Sequence, residues 1–112
     1  NNGMARYECF SRSGQGGDSL ITPATKALEQ IGFKVRSSAE GSISLIETAP
    51  VQRLRDRVLV QMDQTPNNEL QCVVSNEAIA TSKHNPCLAA FQTLINSLNS
   101  LQGVEVDCPV LQ

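Results

Sequence analysis

Apolar and polar residues alternate in several short segments of the chain, and this period of two predicts half-buried β-strands. The first segment is MARYECFSRS, which places Tyr7, Cys9 and Ser11 on one face. The other face carries Arg6, Glu8, Phe10 and Arg12. The glycine-rich stretch SGQGGDS follows, without the spacing or the lysine of a phosphate-binding loop. We therefore expect a strand and then a flexible loop.

Four further segments predict two hairpins. FKVRSSAE and SISLIET lie on either side of a turn at Glu40 and Gly41. VQRLRDRVLVQMD and LQCVVSNEAIA are joined by the turn-forming sequence QTPNNE. A helical start for residues 51–57 competes with the strand, because Leu54 and Val58 are also four positions apart.

Two segments have the period of an amphipathic helix, and the first is TPATKALEQIG. Thr22 is its expected N-cap, Pro23 takes the first helical position, and Gly32 ends the helix. Its apolar stripe is narrow and consists of Ala24, Ala27, Leu28 and Ile31.

The second helical segment, NPCLAAFQTLINSLNSLQG, has the wider apolar face. We expect Asn85 to cap it, Pro86 to take the first helical position, and Gly103 to end it. The apolar face comprises Leu88, Phe91, Leu94, Ile95, Leu98 and Leu101.

The segment VEVDCPVL adds a last short strand, which Pro109 keeps at an edge of the sheet. The predicted order is therefore β-α-β-β-β-β-α-β. We predict an α+β fold in which a mainly antiparallel sheet of four to six strands carries two helices on one face. Residues 1–112 form a single domain, and residues 1–3 are expected to precede a natural start at Met4.

Composition narrows the class of protein. Apolar residues make up 40% and charged residues 18%, as in a globular protein. No apolar run approaches the roughly 18 residues of a membrane span. A net charge of −2 and 4% aromatics without tryptophan do not favour a nucleic-acid partner. We expect a soluble cytoplasmic protein without a cofactor, with a secreted or periplasmic mature form as the alternative.

Four cysteines, Cys9, Cys72, Cys87 and Cys108, occur without a CxxC pair or a usual zinc spacing, so no metal site is predicted. In an oxidising compartment they allow two disulfides in three pairings. Because free cysteine is among the most buried residue types, we expect reduced and mostly buried thiols.

The pair His84 and Cys87 is the one candidate for catalysis. Cys87 is predicted in the first turn of a helix, where the positive end of the dipole favours a thiolate, and His84 is close enough in sequence to act as a base. The simpler interpretation is that Cys87 fills space between helix and sheet, and we favour it.

Basic residues suggest a binding surface. Eight of the nine lysines and arginines lie at or before Arg57. If residues 51–63 form a strand, five cations share one side of the sheet and bind a phosphate, a carboxylate or an acidic partner. They are Lys34, Arg36, Arg53, Arg55 and Arg57. A solvated sheet face shows the same alternation.

The outer face of the last helix contains no charge between Lys83 and Glu105. Gln92, Asn96 and Asn99 represent this uncharged polar face. Because charge is depleted at the centres of interfaces, the pattern is compatible with a homodimer or a partner contact.

The segments RLRDRVLVQMD, TPNNELQCVVSNEAIATSKHNP and CLAAFQTLINSL carry a resemblance. From Arg53 to Leu98 the chain resembles part of an uncharacterised domain family of bacteria and plastids, which has R-F-x-D-D-V and S-x-S-x-x-G-x-S-D-x-G-x-N motifs. The matching residues are Asp56, Val58, Ser75, Ser82 and Asn85; Arg57 and Lys83 replace family aspartates, and the glycines are missing. The resemblance implies a fold rather than a function, with Ser75, Ser82 and Asn85 in an ordered network.

Together these observations favour a non-enzymatic module that binds a partner protein or itself. A module for a small or lipid-like ligand, held in a cavity between the last helix and the sheet, is the first alternative. A thiol-based site at Cys87 is the second.

Overall fold

The computed structural model describes residues 4–79 and 85–108. They form the strands β1 (Met4–Arg12), β2 (Phe33–Ala39), β3 (Ser42–Glu47), β4 (Leu59–Gln64), β5 (Leu70–Ile79) and β6 (Glu105–Asp107), and the helices α1 (Ile21–Gln30) and α2 (Cys87–Asn99). Short 3-10 helices span Gly17–Leu20 and Leu54–Asp56. The order confirms the predicted α+β class. Among the described helices none is long and apolar enough to cross a membrane.

The six strands form one sheet in the order β2-β3-β4-β5-β1-β6. All five neighbouring pairs are antiparallel. The first strand, β1, lies between β5 and the last strand, β6. Cys9 of β1 lies opposite Cys72 of β5, which in turn lies opposite Met62 of β4. The register therefore places the apolar residues of neighbouring strands on one side of the sheet.

The core lies between this side of the sheet and the two helices. Leu28 of α1 and Phe91 of α2 are fully buried against it, and the ring of Phe91 stacks on that of Tyr7 at 5.5 Å between centroids. The strands contribute a set of fully buried side chains: Cys9, Leu45, Val60, Met62, Leu70, Cys72 and Val74. We call the opposite side of the sheet, which the helices do not cover, the outer face.

Both helices begin at a different residue from the one predicted. The 3-10 turn Gly17–Leu20 continues directly into α1 at Ile21, so the assignment of Thr22 as N-cap is wrong. The second helix begins at Cys87 rather than Pro86. The capping hydrogen bond predicted for Asn85 is nevertheless present, because its Oδ1 accepts from the Cys87 N–H at 2.9 Å.

Three apolar residues assigned to buried faces are exposed. Ile31 is 43% exposed, Val35 39% and Leu88 41%. Ile31 lies beyond the last residue of α1, Val35 lies on the edge strand β2, and Leu88 lies in the first turn of α2. Periodicity predicts which face of an element is apolar, but the extent of the opposing layer decides how much of that face is covered.

The strand predicted for residues 51–57 is not formed. Strand β4 begins at Leu59, and Leu54–Asp56 forms a 3-10 turn, which agrees better with the competing helical interpretation. The Arg57 guanidinium donates to the backbone oxygens of Glu47 at 2.6 Å and Ala49 at 3.3 Å. Leu54 is left exposed on the surface.

The glycine-rich loop is anchored to the sheet at Gly17. Its N–H donates to the Asn68 carbonyl at 3.0 Å. A Cβ at this position would lie 2.6 Å from the Glu69 carbonyl oxygen and 2.7 Å from the Leu70 nitrogen. Because these are backbone atoms of the β4–β5 connection, they cannot rotate away.

Gly17→Ala is therefore expected to lower the free energy of unfolding by about 1–3 kcal/mol, the usual cost of forcing extra volume into a packed site. Gly14→Ala is the matched control, because a Cβ at Gly14 meets nothing within 4 Å. Urea denaturation of the two variants checks this prediction. Equal midpoints would show that the loop moves away without cost.

Candidate functional site

The five predicted cations do not share one surface. Lys34 and Arg36 lie on the edge strand β2, as expected. Arg53, Arg55 and Arg57 belong instead to the connection between β3 and β4, because the strand predicted there is absent. The structure therefore divides the cationic surface into two parts, and it ties Arg57 to backbone carbonyls.

Arg53 and Arg55 line a solvent-open groove of about 440 Å³ beside the start of α2. Glu47 and Asp56 line the same groove, so the positive charge is offset. Its other walls are Val51, Gln52, Ala78, Ile79, Asn85 and Pro86. A groove with both signs of charge is suited to polar contacts and does not select a phosphate strongly.

A pair of asparagines supports this groove from behind. Asn76 is 5% exposed, and its Nδ2 donates to the Asp56 carbonyl at 3.0 Å and to Asn85 Oδ1 at 3.2 Å. Asn85 Nδ2 donates to Asn76 Oδ1 at 3.1 Å and to the Ile79 carbonyl at 3.2 Å. The Ala78 N–H completes the set by donating to Asn76 Oδ1 at 3.2 Å. This network joins β5, the 3-10 turn and the start of α2.

Sequence reasoning missed Asn76, although a signal was available. Asn76 has the same strand parity as Cys72, Val74 and Ala78, which are buried, and a polar residue at a buried strand position requires hydrogen-bond partners. The resemblance implied a network of Ser75, Ser82 and Asn85. Asn85 is in a network, but Ser75 faces the opposite side of the sheet, and Ser82 lies outside the described residues.

Cys87 is fully buried at the start of α2. Burial, with a smaller contribution from the charge of Glu47, raises the pKa of its thiol to about 12. Desolvation thus outweighs the helix dipole that was expected to favour a thiolate. His84 lies outside the described residues. The position of Cys87 fits the simpler interpretation, in which it fills space between helix and sheet.

Arg36 reaches the outer face because β2 is irregular. Val35 lies opposite Leu45 and Ser37 lies opposite Ser44, so Arg36 is an extra residue in the ladder. It lines a shallow trough of about 330 Å³ on the outer face. The other lining residues are Ser37, Ser44, Leu59, Val60, Gln61 and Ser75, and the hydroxyls of Ser37 and Ser44 are 2.6 Å apart.

An apolar strip crosses the outer face diagonally. Ile46 of β3 lies opposite Leu59 of β4, and Val73 of β5 lies opposite Gln61, two residues further along β4 on the same side of the sheet. Phe10 of β1 continues the diagonal, and all four apolar side chains of this strip are half-buried. The sequence feature that indicates this strip is one apolar residue on the otherwise polar side of each of β3, β4, β5 and β1, four strands that are neighbours in the sheet.

Charges of opposite sign occupy the two ends of the outer face. Lys34 and Arg36 lie at the β2 edge, and Glu105 and Asp107 lie at the β6 edge. Near the β6 edge, Arg12 pairs with Glu69 at 2.7 Å and more loosely with Glu105 at 3.9 Å. The strip of Ile46, Leu59, Val73 and Phe10 therefore lies between a cationic edge and an acidic edge.

The helical side offers a second surface and a filled interior. Gln92, Asn96 and Asn99 are exposed on α2, as predicted. Between α2 and the sheet, Phe91, Leu94 and Leu98 are fully buried and occupy the space in which the ligand-binding alternative places a cavity. A groove of about 220 Å³ between the two helices is lined by Pro23, Ala24, Lys26, Ala27, Gln30, Ser97, Leu98, Ser100 and Leu101.

The chain matches no known protein-family model, and it has no significant match among curated proteins.

Asn85→Ala is expected to lower the free energy of unfolding by about 1–3 kcal/mol, because it removes the cap of α2 and two of the four hydrogen bonds of the buried Asn76 amide. Asn96→Ala, on the exposed side of the same helix, is the control and should change stability by less than about 0.5 kcal/mol. Thermal and urea denaturation measure both. Similar losses for the two variants would contradict the proposed importance of the network.

The raised pKa of Cys87 predicts a loss of stability at alkaline pH. An unfolded chain releases this proton near the ordinary value of 9.0, whereas the folded chain holds it until about 12. The thiol's contribution is therefore complete below pH 9 and is lost as the pH rises toward 12.

Cys87→Ala should lose less stability than the wild type over this interval, as measured by urea midpoints at a series of pH values. Alkylation of the folded wild type at neutral pH should also leave Cys87 unmodified. Identical pH profiles, or rapid alkylation of Cys87, would contradict the predicted pKa.

Proposed function

We propose that the protein is a non-enzymatic interaction module that associates with a second copy of itself through the outer face of its sheet. The observation that carries this proposal is the layout of that face. A strip of half-buried apolar side chains lies at its centre, and edges of opposite charge lie on either side. An interface commonly combines an apolar centre with a polar rim.

The charge layout selects one arrangement of the two copies. A two-fold axis parallel to the strands brings the sheets face to face and reverses the order of the strands between copies. The β2 edge of each copy then faces the β6 edge of the other. This rotation keeps each residue at its level along the strands. Arg36, near the level of Glu8, therefore comes nearest to Asp107 of the second copy, which is at the level of Phe10, and symmetry forms this contact twice. A two-fold axis across the strands would instead place like charges together.

The size of the face predicts a weak dimer. Five strand spacings of about 4.8 Å and strand lengths of roughly 20–30 Å make an area on the order of 600 Å² per copy. A standard stable interface buries roughly 800 Å² per partner. We therefore expect an association that depends on protein concentration, and that weakens at high salt because its edge charges are screened.

Features of β2 favour contact through the face over contact through the free strand edge. The bulge at Arg36 and the charges of Lys34 and Arg36 are devices that discourage strand addition at an edge. The ligand-binding alternative has less support, because buried side chains occupy the space beneath α2. The resemblance of residues 53–98 to an uncharacterised family stays a prediction about fold.

Sedimentation velocity at several protein concentrations tests the proposal. Arg36→Glu replaces two attractions with two repulsions and should raise the dimer dissociation constant roughly tenfold, equivalent to about 1.4 kcal/mol. The double variant Arg36→Glu with Asp107→Lys restores opposite charges across the same interface and should recover most of the affinity.

Two controls separate this surface from the helical side. Lys26→Glu changes an exposed charge on α1 and should leave the association unchanged. Asn96→Glu would disrupt an interface built on α2 but not one built on the outer face. A protein that is monomeric at every concentration overturns the proposal, as does a dimer that Asn96→Glu breaks and Arg36→Glu does not.

A further inference from the structure

Three cysteines lie side by side across three neighbouring strands, on the core side of the sheet. Cys72 of β5 lies directly opposite Cys9 of β1. On the other side of β1, Phe10 lies opposite Asp107, so the next antiparallel pair brings Cys108 beside Cys9. All three thiols are free. The sequence separates these residues widely, and the strand order alone brings them together.

The three sulfurs interact with each other. Cys72 and Cys108 both lie close enough to Cys9 for hydrogen bonding to affect the pKa of its thiol. The bond from Cys72 is the main cause that lowers the pKa of Cys9, against burial, which opposes it. Burial raises the pKa of Cys108, and the pKa of Cys72 lies well above its ordinary value because of its bond with Cys9 and its burial. Cys9 is therefore the most readily ionised thiol of the row.

Backbone geometry allows a covalent bond between neighbours in this row. Directly opposite residues of antiparallel strands have Cα atoms about 4.5–5.5 Å apart, and disulfides span Cα separations of about 4.4–6.8 Å. The two possible disulfides, Cys9–Cys72 and Cys9–Cys108, differ in how accessible their sulfurs are to solvent. Cys9 and Cys72 are fully buried, whereas Cys108 is only partly buried and follows the last residue of β6.

We propose that Cys9 and Cys108 are a reversible modification site, at which an intramolecular disulfide forms on reaction with a small-molecule disulfide such as oxidised glutathione. The site lies on the core side of the sheet and is independent of the association proposed for the outer face. Cys72 remains a thiol.

The reaction proceeds through two exchanges. The Cys108 thiolate attacks one sulfur of the small-molecule disulfide, whose S–S bond breaks, and one small thiol leaves with the proton that Cys108 released. The Cys9 thiolate then attacks the Cys108 sulfur of the mixed disulfide, and the second small thiol leaves with the Cys9 proton. Two protein thiols are oxidised, and one small disulfide is reduced to two thiols.

The bond would link the first strand to the segment that follows the last strand. Because it joins positions near opposite ends of the described chain, it restricts the unfolded state strongly and should stabilise the fold. The oxidised protein is therefore expected to unfold at a higher urea concentration than the reduced protein.

The test equilibrates the full chain in buffers with increasing ratios of oxidised to reduced glutathione. Alkylation and mass spectrometry should show a folded species lighter by two hydrogens. Proteolysis should yield a peptide pair that contains Cys9 and Cys108 and separates on reduction. The urea midpoint should rise in step with this species. Cys87→Ala removes a buried cysteine outside the row. This variant should form the Cys9–Cys108 disulfide to the same extent as the wild type.

Cys108→Ser is the decisive variant. Cys108 is only partly buried and serine is close to cysteine in size, so the fold is expected to persist. It should form no intramolecular disulfide, whereas Cys72→Ala should still form the Cys9–Cys108 bond. A peptide pair joining Cys9 to Cys72 overturns the proposal. It is also overturned if the folded wild type stays fully reduced in a buffer that oxidises its urea-denatured form.

Discussion

Pairing of β1 with β5 is the constraint on which the other parts of the structure depend. It joins the first strand of the chain to a strand some sixty positions away, in the register that sets Cys9 opposite Cys72. A slip of one residue would exchange the two sides of β1, exposing Cys9 and Tyr7 and burying Glu8. Because β6 in turn pairs with β1, the last strand has no position in the sheet until this register is set.

The same register gives the two sides of the sheet different properties. On the core side it gathers Met62, Cys72, Cys9 and Cys108 into one row. On the outer side it aligns single apolar residues of neighbouring strands into a continuous strip between edges of opposite charge. Neither feature belongs to one strand. Each is produced by the order and the offset of strands that are distant in sequence, and each can be altered without changing the other.

The local pattern of apolar and polar residues was sufficient to predict the helices and strands and most of the faces assigned as buried. The sequence pattern of residues 4–12 and 70–79 predicted the strands β1 and β5, and the Asn-Pro sequence predicted the capping role of Asn85. It failed at residues 51–57, where alternating arginines imitate a strand. There the Arg57 guanidinium donates hydrogen bonds to backbone carbonyls, and Leu54 is exposed because no other element packs over it. Of the five cations predicted to share one side of the sheet, only Lys34 and Arg36 therefore lie on it. Arg53, Arg55 and Arg57 do not.

The sequence by itself determined the α+β class, the order of the elements and the side on which each strand is apolar, because hydrophobic period and turn chemistry act over a few residues. Tertiary structure decided which strands are neighbours, and hence that β1 lies between β5 and β6. It also decided that Asn76 is satisfied by Asn85 and that burial keeps the Cys87 thiol protonated. These outcomes depend on distances between residues far apart in the chain, and no local pattern encodes such distances.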